Sequence, residues 1–188
     1  MAITNLLSGA YAISNTGPLI SAFQSDSFVL LTKICKKIYI TTACVVEFER
    51  HGWGNEVEAA SPQLVVVKLK ASEEKRALIF AKQIAQHPDV NDPVVENHLG
   101  EAQAIALAFR PEHRSDVVLL DELAARAIAK QAGLRVSGFP GVLLSAVQNN
   151  FISAEELKER LEICRARGTH YARIFIQQVY EMAKYGQR

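Results

Sequence analysis

The chain has little of what marks membrane or secreted proteins. Its 188 residues include no run of about 18 apolar residues, so we expect no membrane span. The first residues lack the basic start and continuous apolar stretch of a secretory signal peptide. Only Cys35, Cys44 and Cys164 are cysteine, and they form no C-x-x-C pair. An odd number of scattered cysteines favours reduced thiols in the core of a cytoplasmic protein.

Common metal and nucleotide motifs are also missing. The five histidines form no H-E-x-x-H motif and no pair four residues apart, so a zinc site is not expected. There is no G-x-x-x-x-G-K-[ST] sequence, which argues against a P-loop nucleotidase.

Neither sign of charge dominates. Lys and Arg total 21 against 20 for Asp and Glu, which gives a net charge of +1. Such a chain has no global positive field to attract nucleic acid, so any such contact has to be local. The local basic clusters are "KICKK" at 33–37 and "CRARGTHYAR" at 164–173. Each is also typical of a solvated helix face, and a steep loss of RNA affinity with salt would distinguish a binding patch.

The composition is that of a globular protein, and the sequence pattern predicts strands that alternate with helices. Hydrophobic residues make up 49% and charged residues 22%. This pattern predicts one domain with an open, mostly parallel sheet of about five strands and helices on both faces, a three-layer α/β/α fold. The predicted strands are Tyr11–Ser14, Ile38–Ile40, 63–69 (buried on both faces), Val117–Leu120 and 134–138. The predicted helices are one from residue 15 through Phe28, Ala43–Arg50 after Thr41 or Thr42, 71–86 capped by Ser72, 100–109, one closed by Gly133, Ala154–Cys164 capped by Ser153, and one at about 170–184, with a loop at 87–100.

The residues that follow the strands are the candidates for chemistry, because ligands of such sheets bind beyond the carboxyl ends of the strands. Asn15 and Thr16 follow the first strand, and Asp121 and Glu122 follow the fourth. Glu101 opens a helix that is apolar almost all round. Carboxylates that converge from separate parts of the chain repel one another, and magnesium or manganese is the usual remedy.

Each of these residues also has a structural explanation. Glu101 suits the positive end of a helix dipole, and Asp121 suits a helix cap. Glu122 and Arg126 have the spacing of a surface ion pair. Asn15 suits a turn ahead of Gly17. The residue types alone do not choose between these explanations and a metal site.

Five segments in order resemble the PIN-domain family, particularly its VapC-like branch of toxin-type ribonucleases. They are "ISNTGPLI", "TTACVVEFE", "GEAQAIALA", "LLDELAARAIA" and "GLRVSGFPGVLLSA". The resemblance covers about residues 10–165, which we take as the core of a single domain over 1–188, with a helical extension at 166–188. It implies a metal-dependent endoribonuclease that cuts single-stranded RNA with magnesium or manganese, and a small antitoxin protein as partner.

The resemblance also assigns roles to residues. Glu101 and Asp121 match metal ligands of the family, and Asn15 stands where the family has its first aspartate. Thr16 matches a hydroxyl residue beside that acid. The resemblance also covers three further residues. Glu122 matches a second aspartate of the family, and Glu47 matches an acid of the second helical segment. Arg126 matches an arginine able to touch phosphate.

The amide at position 15 is the main departure from the family pattern. An amide oxygen can ligate a cation, but it brings no charge and cannot act as a base. Asn15 also argues against aspartyl-nucleophile phosphatases and receiver domains, which need an aspartate there. The expectation is therefore a ribonuclease weakened at Asn15, with an inactive module that binds RNA or protein as the alternative. Apolar residues on the first helix and in "FVLLTKI" at 28–34 further predict a homodimer.

Overall fold

Five parallel strands form one central sheet, as predicted. A computed structural model describes residues 11–61, 63–114 and 116–186, so the ends of the predicted 1–188 domain lie outside the described residues. The strand order is β3-β2-β1-β4-β5, and every neighbouring pair is parallel. The strands are β1 (Ala12–Ser14), β2 (Ile38–Thr41), β3 (Leu64–Val67), β4 (Val117–Leu119) and β5 (Arg135–Ser137).

Helices connect the strands and cover both faces of the sheet. In the described ranges no helix is both long and apolar enough to cross a membrane. The helices are α1 (Thr16–Gln24), α2 (Phe28–Ile34), α3 (Thr42–Arg50), α4 (Gly54–Ala59), α5 (Ala71–Ala85), α6 (Leu99–Leu107), α7 (Leu123–Gln131), α8 (Phe139–Gln148), α9 (Ala154–Ala166) and α10 (Arg173–Tyr185), with 3₁₀ turns at Val95–His98 and Pro111–His113.

Alternate residues of the central strands enter two separate cores. Val117 and Leu119 of β4 join a core that also contains residues of α1, α2, α8, α9 and α10. Val118, on the opposite face, joins a core with residues of α5, α6 and α7. A strand with apolar side chains on both faces requires helices on both faces, which gives the predicted three layers. Cys35, Cys44 and Cys164 are buried and form no disulfide.

The predicted first helix is wrong in its length. It ends at Gln24, and Phe28 begins a second helix. Between them the Ser25 hydroxyl donates to the Ser21 carbonyl oxygen at 2.8 Å, and Asp26 has φ of 55°. Serine hydroxyls that bond the nearby backbone compete with helix continuation, which an apolar periodicity does not reveal.

The segment at 63–69 is an edge strand and not one buried on both faces. β3 pairs only with β2, and Val66 is 50% exposed. A continuous β-branched run has the same appearance in an edge strand and in a central strand, so the pattern alone could not make the distinction. The predicted loop at 87–100 is also too long, because α6 begins at Leu99.

The two serines predicted as helix caps behave differently. The Ser153 hydroxyl accepts from the Glu156 N–H at 3.1 Å, and the Glu156 carboxylate accepts from the Ser153 N–H at 2.7 Å. Ser72, in contrast, lies exposed inside α5. There the Glu73 carboxylate accepts from the Lys70 N–H at 2.7 Å. The prediction of a cap is therefore confirmed at Ser153 and wrong at Ser72.

These two serines provide a matched test of the fold. We expect Ser153→Ala to lower the free energy of unfolding by about 1 kcal/mol, because the Glu156 N–H loses its acceptor. Ser72→Ala should change it by less than about 0.5 kcal/mol. Urea denaturation of the two variants and the parent measures both values. Equal losses in the two variants would contradict the assignment.

Candidate functional site

The candidate residues lie at the carboxyl edge of the sheet, beside its topological switch point. β1 and β4 are neighbours in the sheet. The connection that follows β1 leads to β2 on one side, and the connection that follows β4 leads to β5 on the other side. Asn15 follows β1 and Asp121 closely follows β4. The Asn15 N–H donates to the Leu119 carbonyl oxygen at 3.3 Å, which joins the two strand ends. Such a point is where open parallel sheets form a crevice.

Asn15 has the backbone of a helix cap but does not cap with its side chain. It is the residue before α1, with φ of −84° and ψ of −174°, and it makes no side-chain cap hydrogen bond. The residue is 4% exposed. Its Oδ1 atom is buried and has no hydrogen-bond partner in the described part of the chain. Most buried side-chain oxygens in proteins have a hydrogen-bond partner, so this oxygen is a candidate ligand atom.

Glu101 lies directly beside Asn15. The Asn15 Nδ2 amide donates to Glu101 Oε1 at 2.9 Å. Burial, together with the nearby carboxylates of Glu122 and Glu47, raises the pKa of Glu101 to about 7. The carboxyl group therefore changes charge near neutral pH. A cation or a proton would relieve the same unfavourable charge.

Asp121 also faces this edge, and its side chain contacts the beginning of α8, a helix that is distant in sequence. Its Oδ1 accepts from the Phe139 N–H at 2.7 Å, at the first residue of α8, and its Oδ2 accepts from the Tyr171 hydroxyl at 3.1 Å. It does not cap α7, whose cap position is Glu122. Burial raises the pKa of Asp121, and the two donors together with Arg126 offset part of that rise.

Because Gly138 has no side chain, there is room for the Asp121 carboxylate beside it. A Cβ at position 138 would lie 2.7 Å from Asp121 Oδ1 and 3.1 Å from the Leu120 carbonyl oxygen. The second atom belongs to the backbone, so a side chain here would displace the end of β4. On the other flank, a Cβ built at Gly17 would lie an ordinary 3.8 Å from Asp121 Cβ. Asp121 therefore borders the same turn that carries Asn15.

Thr16 and Glu47 form a second pair at this edge. The Thr16 hydroxyl donates to Glu47 Oε2 in a short hydrogen bond. Glu47 lies on α3, which begins directly after β2, and its Oε2 would be 3.5 Å from a Cβ at Gly100. The strand-to-helix junctions of β1 and β2 thus bring their polar residues to the helix that carries Glu101.

Among the described residues, Glu122 and Arg126 do not form the surface ion pair that their spacing allows. Glu122 Oε2 lies 3.7 Å from His98 Nδ1, and Arg126 lies towards Gly138 and Asp121. The spacing of four residues favours a pair only where nothing better is near. Here His98, from the 3₁₀ turn before α6, provides the closer partner.

The donor set fits a hard divalent cation in its chemistry, but it is short of charge. Asn15 Oδ1 supplies an unpartnered oxygen, and Glu101 and Asp121 supply carboxylates whose pKa values burial raises. Oxygen ligands of this kind suit magnesium or manganese. Among residues 11–61, 63–114 and 116–186, no three His, Cys, Asp or Glu side chains form a group able to hold a metal. With an amide at position 15, only two of the three donors are acids.

Sequence reasoning missed the residues that support Asp121. Tyr171 and Gly138 contact it from positions 50 and 17 residues later in the chain, respectively. Their only signal was proximity to recognised segments, Gly138 in "RVSGFP" and Tyr171 in the basic stretch at 164–173. His98 carried no signal, since a single histidine in a polar loop is ordinary.

Comparison with protein families relates the chain to a known one. A family model described as a PIN domain matches residues 11–185, which is nearly all of the described chain. Neither the curated proteins nor the solved structures include a significant match.

The raised pKa of Glu101 predicts how stability depends on pH without metal. The folded-state pKa of about 7 lies above the ordinary value of 4.5, so this group's stabilising contribution is complete below about pH 4.5 and is lost as pH rises through 7. With EDTA present, the parent should lose up to about 3 kcal/mol more than Glu101→Gln between pH 4.5 and 8. Urea titrations at each pH measure this difference. Parallel pH profiles for the two proteins would refute the assignment.

Proposed function

Because the chain belongs to the PIN-domain family, whose fold is of the nuclease type, we propose that it is a metal-dependent endoribonuclease of single-stranded RNA. One observation carries the proposal. Asn15 Oδ1 is buried with no partner among the described residues, beside Glu101 and next to the turn that Asp121 borders. A bound cation would give that oxygen a partner and neutralise the two carboxylates.

Asn15, Glu101 and Asp121 are the residues that would hold Mg²⁺ or Mn²⁺. When bound, the ion orients and acidifies a water molecule and stabilises negative charge on the phosphate oxygens. The protein supplies the rest of the arrangement. Asp121 is fixed in orientation by the Phe139 N–H and the Tyr171 hydroxyl. Glu101 is held by the Asn15 Nδ2 amide, which donates to its Oε1 at 2.9 Å.

Around these ligands, further residues would position substrate and water. The Thr16 hydroxyl donates its hydrogen bond to Glu47, so the lone pairs of the Thr16 oxygen would accept from a water molecule at the crevice. Glu122 would hold a second water beside His98. Arg126, which lies near Asp121, would touch a phosphate oxygen.

Asn15 should make this a weak nuclease. Its amide brings no charge, so the site offers two negative charges and not three, and metal affinity falls with ligand charge. Its Nδ2 atom also donates to Glu101 and so partly does what a cation would do.

A specific observation also favours the second candidate, a module that binds RNA or protein without cutting. Each principal carboxylate already accepts a hydrogen bond from within the protein: Glu101 from the Asn15 amide, and Asp121 from the Tyr171 hydroxyl. A site satisfied in this way can persist without metal. The two candidates differ in what restoring an acid at position 15 would do.

The comparison of Asn15→Asp with the parent decides between them. We expect calorimetry to show weak Mn²⁺ binding by the parent and binding at least about ten-fold tighter by Asn15→Asp, because a third carboxylate faces the ion. Manganese-dependent cleavage of single-stranded RNA should be slow in the parent, faster in Asn15→Asp and absent in Asp121→Ala.

Asn55→Asp is the matched control, since Asn55 is exposed on α4 and gains the same charge. It should bind and cleave as the parent does. Metal binding and cleavage gained only by Asn15→Asp would favour the non-cutting module for the natural sequence. Cleavage that persists in Asp121→Ala or in chelator would reject the nuclease.

We also propose two partners. The resemblance to toxin-type members supports an antitoxin protein that covers the acidic edge. Growth arrest on expression that Asp121→Ala fails to relieve would contradict a toxin role.

An open groove of about 400 Å³ lined by Phe23, Phe28 and Val29 supports a homodimer through α1 and α2. Val29 is 54% exposed there. Light scattering that gives the mass of one chain at high concentration would exclude this dimer.

A further inference from the structure

A cleft of about 620 Å³ opens between the end of α9 and the start of α10. One of its lining residues is Tyr171, whose hydroxyl donates to Asp121 Oδ2 at 3.1 Å. The cleft is therefore separated from a proposed metal ligand by a single side chain. Its lining residues are Arg165, Gly168, Thr169, His170, Tyr171, Ala172 and Arg173.

The charged residues described in the lining of this cleft are all basic. None of the described residues that line it is acidic. Arg165 is paired with Glu162 at 2.7 Å. Arg173 is exposed and forms no ion pair within the described ranges, and His170 is exposed beside it. The first turn of α10 contains no acidic residue that could neutralise Arg173.

The other basic cluster is in the wrong place to serve the site. Lys36 and Lys37 directly precede β2, so they lie at the amino edge of the parallel sheet, opposite the acids. Lys33 of the same cluster lies over the Phe151 ring, 5.4 Å from its centroid. The two clusters look alike in sequence, but only the one at 164–173 contains a residue that contacts Asp121.

An acidic edge needs nearby positive charge if it is to hold a polyanion. Glu47, Glu101, Asp121 and Glu122 meet at one edge and repel phosphates. Cations next to the edge attract the backbone of a nucleic acid through contacts that do not depend on base sequence. Arginine suits this role, because its guanidinium matches the geometry of phosphate oxygens.

We propose that the cleft beside Tyr171 binds backbone phosphates of single-stranded RNA, adjacent to the phosphate at the acidic edge. The proposal rests on the proposed function for its ligand. Arg173 makes the principal contact, and the strand continues past Tyr171 and Asp121 towards Arg126. Five of the seven described lining residues are polar or charged, and the cleft is open to solvent, which fits a solvated backbone better than the apolar anchors of a protein partner.

The test measures RNA binding without cleavage. Fluorescence anisotropy of a labelled single-stranded RNA is recorded in EDTA at several salt concentrations, with the full chain. Arg173→Ala should weaken binding about five-fold at low salt and lower the slope of log affinity against log salt by about one. Arg173→Lys keeps the charge and should retain most of the affinity.

The double variant Lys36→Ala/Lys37→Ala is the matched control, since it removes exposed cations from the opposite edge. It should keep the parent's affinity and salt slope. Arg173→Ala binding like the parent, or the lysine variant losing as much as Arg173→Ala, would overturn the proposal. An absence of RNA binding by the parent would overturn it as well.

This result is separable from the nuclease question. Loss of RNA affinity in Arg173→Ala, combined with no manganese-dependent cleavage even by Asn15→Asp, would support the cleft and reject the nuclease. Cleavage by the parent, combined with unchanged affinity in Arg173→Ala, would do the reverse. A melting temperature for Arg173→Ala equal to the parent's shows that the exposed side chain was removed without unfolding.

Discussion

Repulsion between acidic side chains at the carboxyl edge of the sheet is the constraint on which the arrangement of the site depends. Parallel strands bring these residues together because all of them end at the same edge. The four acids are Glu47, Glu101, Asp121 and Glu122. Each has a donor or cation nearby: the Thr16 hydroxyl, the Asn15 amide, the Phe139 N–H with the Tyr171 hydroxyl, and the His98 ring, respectively. The protein thus holds four carboxylates in place with its own groups.

This constraint gives Asn15 a double role. Its Nδ2 atom donates to Glu101, and its Oδ1 atom is buried and has no hydrogen-bond partner among the described residues. An aspartate at this position would add a charge to an already acidic edge and would remove the donor. The amide therefore supplies a donor to this edge without adding charge to it.

The sequence predicted the sheet, most helices and the residues at its edge, because these depend on local periodicity and on one rule about parallel sheets. It could not predict side-chain directions. Asp121 is placed in the sequence to cap the following helix, but it accepts from Phe139, which lies 18 residues later. Glu122 has the spacing to pair with Arg126, but it lies beside His98 instead. Local spacing describes which residues can meet within one helix, and the site is made by residues that meet across elements.

The hydrogen bonds of the site also join distant parts of the chain. Asn15 and Glu101 are 86 residues apart, Thr16 and Glu47 are 31 apart, and Asp121 and Tyr171 are 50 apart. Closing loops of such length costs conformational entropy that contacts within one helix do not require. During synthesis from the N-terminus, Asp121 gains the Tyr171 hydroxyl as a partner only when Tyr171 has emerged. A growing chain therefore carries Asp121 for 50 residues before this donor can hold its carboxylate in position.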